Sequence, residues 1–207
     1  MIDLYSVPTA NGQKVHIMLE ECGLAYTPHL MNLQGGEHRT PEFRKLNPFA
    51  RVPVIVDHAA PGGDFAVSET TAILSYLAEK SGKFLPSDVR QRSEVNQWLS
   101  FISANVGPVF RGEFMFTNRV PGKIQGAIDF FVSEGEKALA VLDEVLSTRT
   151  YFVGGVYTIA DINAYPVAAT SSKKLPKGLE PYPNVRRWAD LIAARPAVTR
   201  GMKLFAQ

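Results

Sequence analysis

The sequence predicts an α/β domain followed by an all-helical domain, and the order of its hydrophobic periodicities carries that prediction. Short apolar runs alternate with helical stripes as far as residue 80, a segment holding Gly82 and Pro86 interrupts the pattern, and beyond it only helical stripes recur. The expected organisation is an α/β domain over 1–80, a linker over 81–87 and a helical domain over 88–207.

Ile2 to Val7 is an apolar run halted by Pro8 and reads as a buried strand. Val15, Met18, Leu19 and Cys22 then recur at the i, i+3, i+4 and i+7 spacing of a helix face, and Gly23 supplies the stop. Tyr26 to Leu33 gives a second strand; strand, helix and strand within about 30 residues form a right-handed unit with parallel strands. Gly35-Gly36 opens a loop, and Thr40 caps a short helix that starts at Pro41 and ends near Asn47-Pro48. Val52 to Val56, the turn Pro61-Gly62-Gly63-Asp64 and Phe65-Ala66-Val67 make a hairpin. A helix from Glu69 to Lys80 follows and buries Ile73, Tyr76 and Leu77.

In the helical part, Val95, Trp98, Leu99 and Ile102 mark one stripe. Ile124, Ile128, Phe131, Ala138, Leu142 and Val145 mark a second, and Val185, Trp188, Ala189 and Ile192 a third. Thr158 followed by Asp161 is a capping-box pattern, a folding element to which no chemistry is assigned.

Composition narrows the function classes. The 207 residues are 45% apolar and 20% charged with a formal charge of only +2, so neither a nucleic-acid surface nor a polybasic membrane surface is indicated. No apolar run approaches the roughly 20 residues that span a bilayer, and an acid stands near the start where a signal peptide carries base; a cytoplasmic protein is expected. Cys22 is the only cysteine, which excludes an internal disulfide, a Cys-x-x-Cys pair and a cysteine-based zinc site. No metal ligands are assigned, and any sulfur chemistry needs a thiol from outside the chain.

The strand and helix order of the first domain, with Pro53 opening the third strand, resembles the thioredoxin fold, and its fusion to helices resembles the glutathione S-transferase superfamily. The stretches that carry the resemblance are Pro8-Thr9-Ala10-Asn11-Gly12, Asn47-Pro48-Phe49-Ala50-Arg51-Val52-Pro53, Ser68-Glu69-Thr70-Thr71-Ala72-Ile73 and Thr158-Ile159-Ala160-Asp161-Ile162. The loop from Gly35 to Phe43 and the Thr9/Asn11 pair are most similar to theta-type and bacterial Nu-type members.

That resemblance implies glutathione as co-substrate and gives each motif a role, beside which the residues allow a plainer one. A cis Val52-Pro53 bond would leave the Val52 N–H and C=O for glutathione's cysteine backbone to pair with as an added strand; a trans bond at a strand start is the plainer reading. Glu69 would take the ammonium of the γ-glutamyl end and Thr70 its carboxylate, or Ser68, Glu69 and Thr70 simply cap a helix. His38 and Arg51 are candidates for the glycine carboxylate, or else solvated side chains.

Thr9 and Asn11 would favour the thiolate through a donated hydrogen bond at the positive end of the first helix, and Asn11 is also a candidate cap. Tyr5 is a rival donor, used in some classes, but falls inside the first strand. Cys22 lies about 16 Å along a helix from Asn11 and reads as a buried core thiol. Phe110, Phe114 and Met115 are candidates for an apolar electrophile site, or belong to the core.

The implied function is a glutathione transferase acting on a small electrophile. The alternative is glutathione-dependent reduction of small disulfides, in which a second glutathione resolves the mixed disulfide. A non-catalytic interaction module of the same fold would have no need of Thr9, Asn11, Glu69 and Thr70 together. A homodimer is expected from the family.

Overall fold

The structure, a computed structural model, describes residues 1–205, Ser171 by its backbone alone. It divides into two compact units, Met1–Leu85 with the segment from Ala193, and Pro86–Ile192. In the first, β1 (Ile2–Ser6), β2 (Tyr26–Leu30), β3 (Val54–Asp57) and β4 (Phe65–Ser68) form one sheet in the order β2-β1-β3-β4. β1 and β2 are parallel and joined through α1 (Ala10–Cys22); the β1–β3 and β3–β4 pairs are antiparallel. α2 (Pro41–Leu46) precedes β3 and α3 (Thr70–Ser81) follows β4, the order that the periodicities predict.

β1 stops one residue short of its apolar run, and β2 and β3 are trimmed further. β2 ends at Leu30 because the Leu33 N–H turns back to Met31 O, and β3 begins at Val54 because Pro53 has no N–H for the ladder.

α1 organises this unit. Thr9 caps it, and Gly23, at φ 68, closes it by donating to the carbonyls of Leu19 and Glu20. Gly12 through Leu19 are all buried, with α3 and α9 (Pro196–Lys203) packed along the helix. Gly12 is required where α1 meets the sheet, since a β-carbon there would stand 2.0 Å from the Val7 carbonyl oxygen. On the α9 side, a β-carbon at Gly201 would stand 2.7 Å from Ile17 Cα, so the helix backbones nearly touch.

Glu21 pairs with Arg195 at 2.5 and 2.9 Å and Glu20 with Arg200 at 2.6 Å. The sequence reading places all of 88–207 in the helical domain, whereas these contacts assign the segment from Ala193 to the first unit. α3 is fixed by Asp57 at the end of β3, which accepts from Tyr76 at 2.6 Å and Lys80 at 2.7 Å. Tyr76 is therefore half-buried rather than core.

In the second unit, α4 (Val89–Phe101) continues through a π turn (Ile102–Val106) into α5 (Gly107–Asn118), followed by α6 (Gln125–Leu146), α7 (Ile159–Pro166) and α8 (Pro183–Ala193). The stripes beginning at Val95 and Val185 are buried throughout. In the α6 stripe Ile128, Ala138 and Leu142 are buried, Phe131 and Val145 are half-buried, and Ile124 is 50% exposed at the helix boundary. The capping box forms as expected at α7, where Asp161 also accepts from Phe152 N and Trp188 Nε1 at 3.1 and 2.9 Å.

His16 joins α1 to β1 through a 2.8 Å hydrogen bond with Ser6 Oγ, and burial pushes its pKa down to about 4 from an ordinary 6.5. Between those values falling pH protonates the unfolded chain but not the fold, so His16 costs stability progressively, about 3 kcal/mol in all by pH 4. Urea titrations should therefore show the stability of wild type relative to His16→Gln falling by about that amount from pH 7 to pH 4. A difference that does not change with pH would mean that His16 titrates alike in both states.

Candidate functional site

The strand register gathers the first unit's expected binding residues at one end of the sheet. Tyr5 of β1 lies opposite Val54 of β3, Val54 lies opposite Ser68 of β4, and Ser6 lies beside Leu30 of β2. Thr9 and Asn11 follow β1, the His38 loop follows β2, Val52 precedes β3 and Glu69 follows β4, all at that end. Strands lie about 4.8 Å apart, so β1 to β4 spans about 10 Å, the length of an extended tripeptide.

At the start of α1, Thr9 Oγ1 accepts from the Gly12 N–H at 3.3 Å and Thr9 O from the Gln13 N–H at 2.8 Å. The Thr9 hydroxyl thus accepts inward and keeps its proton to donate outward. The amides of Ala10 and Asn11 have no acceptor among the described residues, and the first turn holds no acid. The positive end of this 13-residue helix is uncompensated. Asn11 is exposed at the second helical position; the cap is Thr9, which corrects the expectation that Asn11 could cap.

Asn47, buried, shapes the loop that delivers Val52: its Nδ2 donates to Arg51 O at 2.8 Å and its Oδ1 accepts from Phe49 N at 3.0 Å. Sequence reading misses it, since an asparagine in a loop carries no periodic sign of burial. The Val52–Pro53 bond is cis, and among the described residues neither the N–H nor the C=O of half-buried Val52 is paired.

Glu69 bounds α3 with φ 68 and ψ 121 and makes no capping bond. A positive φ on a residue with a β-carbon costs about 1–3 kcal/mol. The plainer capping role is absent: the first helical bond is Ile73 N–H to Glu69 O at 2.9 Å, and no side chain receives the amides of Thr70, Thr71 and Ala72. A strained, exposed carboxylate beside free amides and the Thr70 hydroxyl suits a ligand carrying both an ammonium and a carboxylate.

His38 and Arg51 are placed less directly. His38 lies in the 3₁₀ turn Glu37–Arg39, where its Nε2 accepts from Arg39 Nε at 3.3 Å and its Nδ1 is enclosed without a partner. In this arrangement the ring turns no free N–H outward, and Arg39, which sequence reading passes over, is the exposed cation of the loop. The Arg51 guanidinium rests 4.4 Å from the centre of the Phe49 ring and has no carboxylate partner among the described residues.

Of the residues expected around an electrophile, Phe110 is core, 3% exposed and packed where a side chain at Gly135 would stand. Phe114 and Met115 are half-buried, and Lys174 Nζ lies 4.7 Å from the Phe114 ring centre. A cavity of about 310 Å³ in this unit is lined by others, Phe101, Val109, Phe131 and Val141 among them. Tyr5 stacks on His29 at 4.7 Å within the sheet, and Cys22 is buried against Ser81, where burial raises its thiol pKa.

A β2-β1-β3-β4 sheet with its helices, followed by a helical unit, defines a thioredoxin-like domain fused to an all-helical one. Family models of the glutathione S-transferase N-terminal and C-terminal domains match residues 10–80 and 132–196. The chain is 37% identical over 205 residues to the disulfide-bond oxidoreductase YfcG of Escherichia coli (strain K12), covering 98% of this chain and 94% of that protein. A glutathione transferase from Burkholderia graminis, solved with two glutathione molecules bound per subunit, matches with a TM-score of 0.92 at 38% identity, over 98% of this chain and 87% of that one. One from Pseudomonas putida, solved with one glutathione disulfide per subunit, gives 0.90 at 36% identity over 98% and 91%. The chain belongs to the glutathione S-transferase family.

Strain at Glu69 has a direct check. Glu69→Gly should be more stable than Glu69→Ala by about 1 kcal/mol in chemical denaturation, because only alanine keeps a β-carbon at the positive φ. Equal stabilities would mean that the backbone there relaxes without cost.

Proposed function

We propose that the chain is a glutathione transferase that binds glutathione across the ends of β1, β3 and β4, ionises its thiol at the start of α1 and directs the sulfur at a small electrophile. One observation carries this reading. Two helices, α1 and α3, begin with unpaired amides at the same end of one sheet, and the unpaired Val52 backbone lies just before β3, the strand between β1 and β4.

Glu69 takes the γ-glutamyl ammonium, while Thr70 and the free amides of α3 take its carboxylate. The Val52 N–H and C=O pair with the cysteine backbone as a short added strand. The Thr9 hydroxyl and Asn11 carboxamide donate to the sulfur and favour the thiolate. Arg51 is the readier group for the glycine carboxylate, since His38 must first release Arg39. In the transfer, the thiolate forms a carbon–sulfur bond as the leaving group departs with its electron pair, or as the resulting carbanion takes a proton. Phe114 and Met115 are the contacts proposed for that second substrate.

A second reading is favoured by the lack of a usable protein thiol, Cys22 being buried beside Ser81, and by the disulfide-bond oxidoreductase among the relatives. Here the thiolate attacks a disulfide sulfur and expels one thiolate. A second glutathione then attacks the mixed disulfide, so the small disulfide is reduced as two glutathiones are oxidised to one disulfide. An interaction module would have no use for the strain at Glu69.

No helix among the described residues is long and apolar enough to cross a membrane. A cytoplasmic location fits an enzyme that consumes reduced glutathione. Phe49 at 65% and Phe130 at 58% exposure are apolar surfaces that a two-fold partner would cover, so a homodimer is part of this reading. Sedimentation of wild type should give twice the monomer mass, and Phe49→Ser should shift it toward monomer; a monomeric wild type would remove the dimer.

Removing one donor, Thr9→Ala or Asn11→Ala, should lower kcat about 10- to 1000-fold, the range for one preorganised hydrogen bond. Cys22→Ala should remain active. Rates with a chlorinated nitroaromatic and with a small hydroxyalkyl disulfide divide the two readings by which turns over faster. A folded but inactive Cys22→Ala would contradict both.

A further inference from the structure

Glu113 of α5 is a buried acid with one oxygen left open. The residue is 6% exposed; its Oε1 accepts from Thr117 Oγ1 at 2.9 Å, whereas Oε2 is enclosed and receives no hydrogen bond among the described residues. Lys174 Nζ stands 3.7 Å from Oε2, close enough to balance a charge there but too far for a hydrogen bond. The same ammonium lies 4.7 Å from the centre of the Phe114 ring. Lys174 is thus held between a buried acid and an aromatic face, and its three N–H groups donate to nothing among the described residues.

The backbone that carries Lys174 is fixed. Lys174 ends the 3₁₀ turn Ser172–Lys174, and Ser172, itself buried, donates to the Ala168 carbonyl. Leu175 follows, 6% exposed; with Phe110 it fills the space beside Gly135, where a β-carbon would stand 3.3 Å from Leu175 Cδ2. Lys174 therefore reaches Phe114 from an anchored segment, and its side chain, 36% exposed, opens to water.

Positive charge surrounds the ring. Arg119, just past the end of α5, has its Cζ 5.9 Å from the Phe114 centre, and Lys173 and Lys177 are exposed in the segment that carries Lys174. The acid paired within this cluster, Glu113, is buried. An aromatic face with cations at its rim suits a molecule that has an apolar body and an anionic end.

Resting on the contacts proposed above for the second substrate, we infer that Lys174 sets the substrate class of that site: held by Glu113 over Phe114, it receives the carboxylate or sulfonate of an organic anion and so selects anionic electrophiles or disulfides over neutral ones of similar shape.

Two matched pairs of second substrates test this: a hydroxyl-ended and a carboxylate-ended dialkyl disulfide, and a chlorinated nitroaromatic without and with a ring carboxylate. The ratio kcat/KM with glutathione as co-substrate is measured for wild type, Lys174→Met and Lys174→Arg. In whichever pair is turned over, Lys174→Met should lower kcat/KM for the anionic member about tenfold, the lower end for a hydrogen bond to a charged group because Nζ is partly in water. The loss should fall on KM rather than kcat, since this contact is made equally in the ground and transition states. The neutral member should stay within about twofold, Lys174→Arg should keep most of the preference, and added salt should weaken it in wild type.

An anionic member that Lys174→Met leaves unchanged, or a loss shared equally by the neutral member, overturns the proposal. Lys174→Met leaves Glu113 buried and unpaired, a cost that can unfold the chain. The double variant Lys174→Met with Glu113→Gln removes that cost and is read in the same way; if neither folds, the pair serves the fold and the proposal falls. Wild type that turns over no member of either pair removes the glutathione reading itself, a result distinct from turnover that is indifferent to Lys174.

Discussion

The placement of the candidate site rests on how tightly α1 begins behind β1. Only Val7, Pro8 and Thr9 separate the strand from the helix, and the Thr9 N–H turns back to Val7 O at 2.8 Å. The first turn of α1 then runs so close to Val7 that no side chain fits at Gly12. Because of that approach, the Thr9 hydroxyl and the free amides of the first turn open at the same end of the sheet where β3 starts and β4 finishes. A longer connection, or a β-carbon at position 12, would lift the helix from the strand and separate these groups from Val52 and Glu69.

What marks this end of the sheet is a set of costs that the fold leaves standing. The α1 and α3 amides are open, Val52 is unpaired and Glu69 sits at a positive φ. The contrast is α7, where Thr158 and Asp161 satisfy the helix start and Asp161 takes two further donors. At α7, to which no chemistry is assigned, the cap is complete, whereas α6 and α9 also start without a side-chain cap, so open amides count here only together with the unpaired Val52 and the φ of Glu69. The strain at Glu69, about 1–3 kcal/mol, is heavy against a total stability of about 5–15 kcal/mol, and its clustering with the open amides and the unpaired Val52 is the physical argument for a ligand that completes them.

The alternation of strands and helices was legible because burial writes a period of two or of 3.6 residues into the chain, as at Val15, Met18, Leu19 and Cys22. Periodicity does not say what covers a stripe. α9 therefore read as part of the helical domain although it packs on α1, and Phe110 had the spacing of either a core or a pocket residue. Motif residues such as Thr9, Asn11, Val52 and Glu69 were visible by resemblance, but which of Thr9 and Asn11 caps α1 depended on the three-residue connection after β1. Asn47 was invisible, because asparagine is ordinarily exposed and nothing local announces its burial. The φ of Glu69 is a property of the strand-to-helix corner and has no signature in residue type.

A crystal structure of the protein with reduced glutathione addresses the central claim most directly. The expected result is the γ-glutamyl carboxylate on the free amides of α3, the cysteine backbone paired with Val52, and the sulfur within about 3.5 Å of the Thr9 hydroxyl or the Asn11 carboxamide. Glutathione bound with its sulfur away from the start of α1, or with Val52 still unpaired, would contradict it.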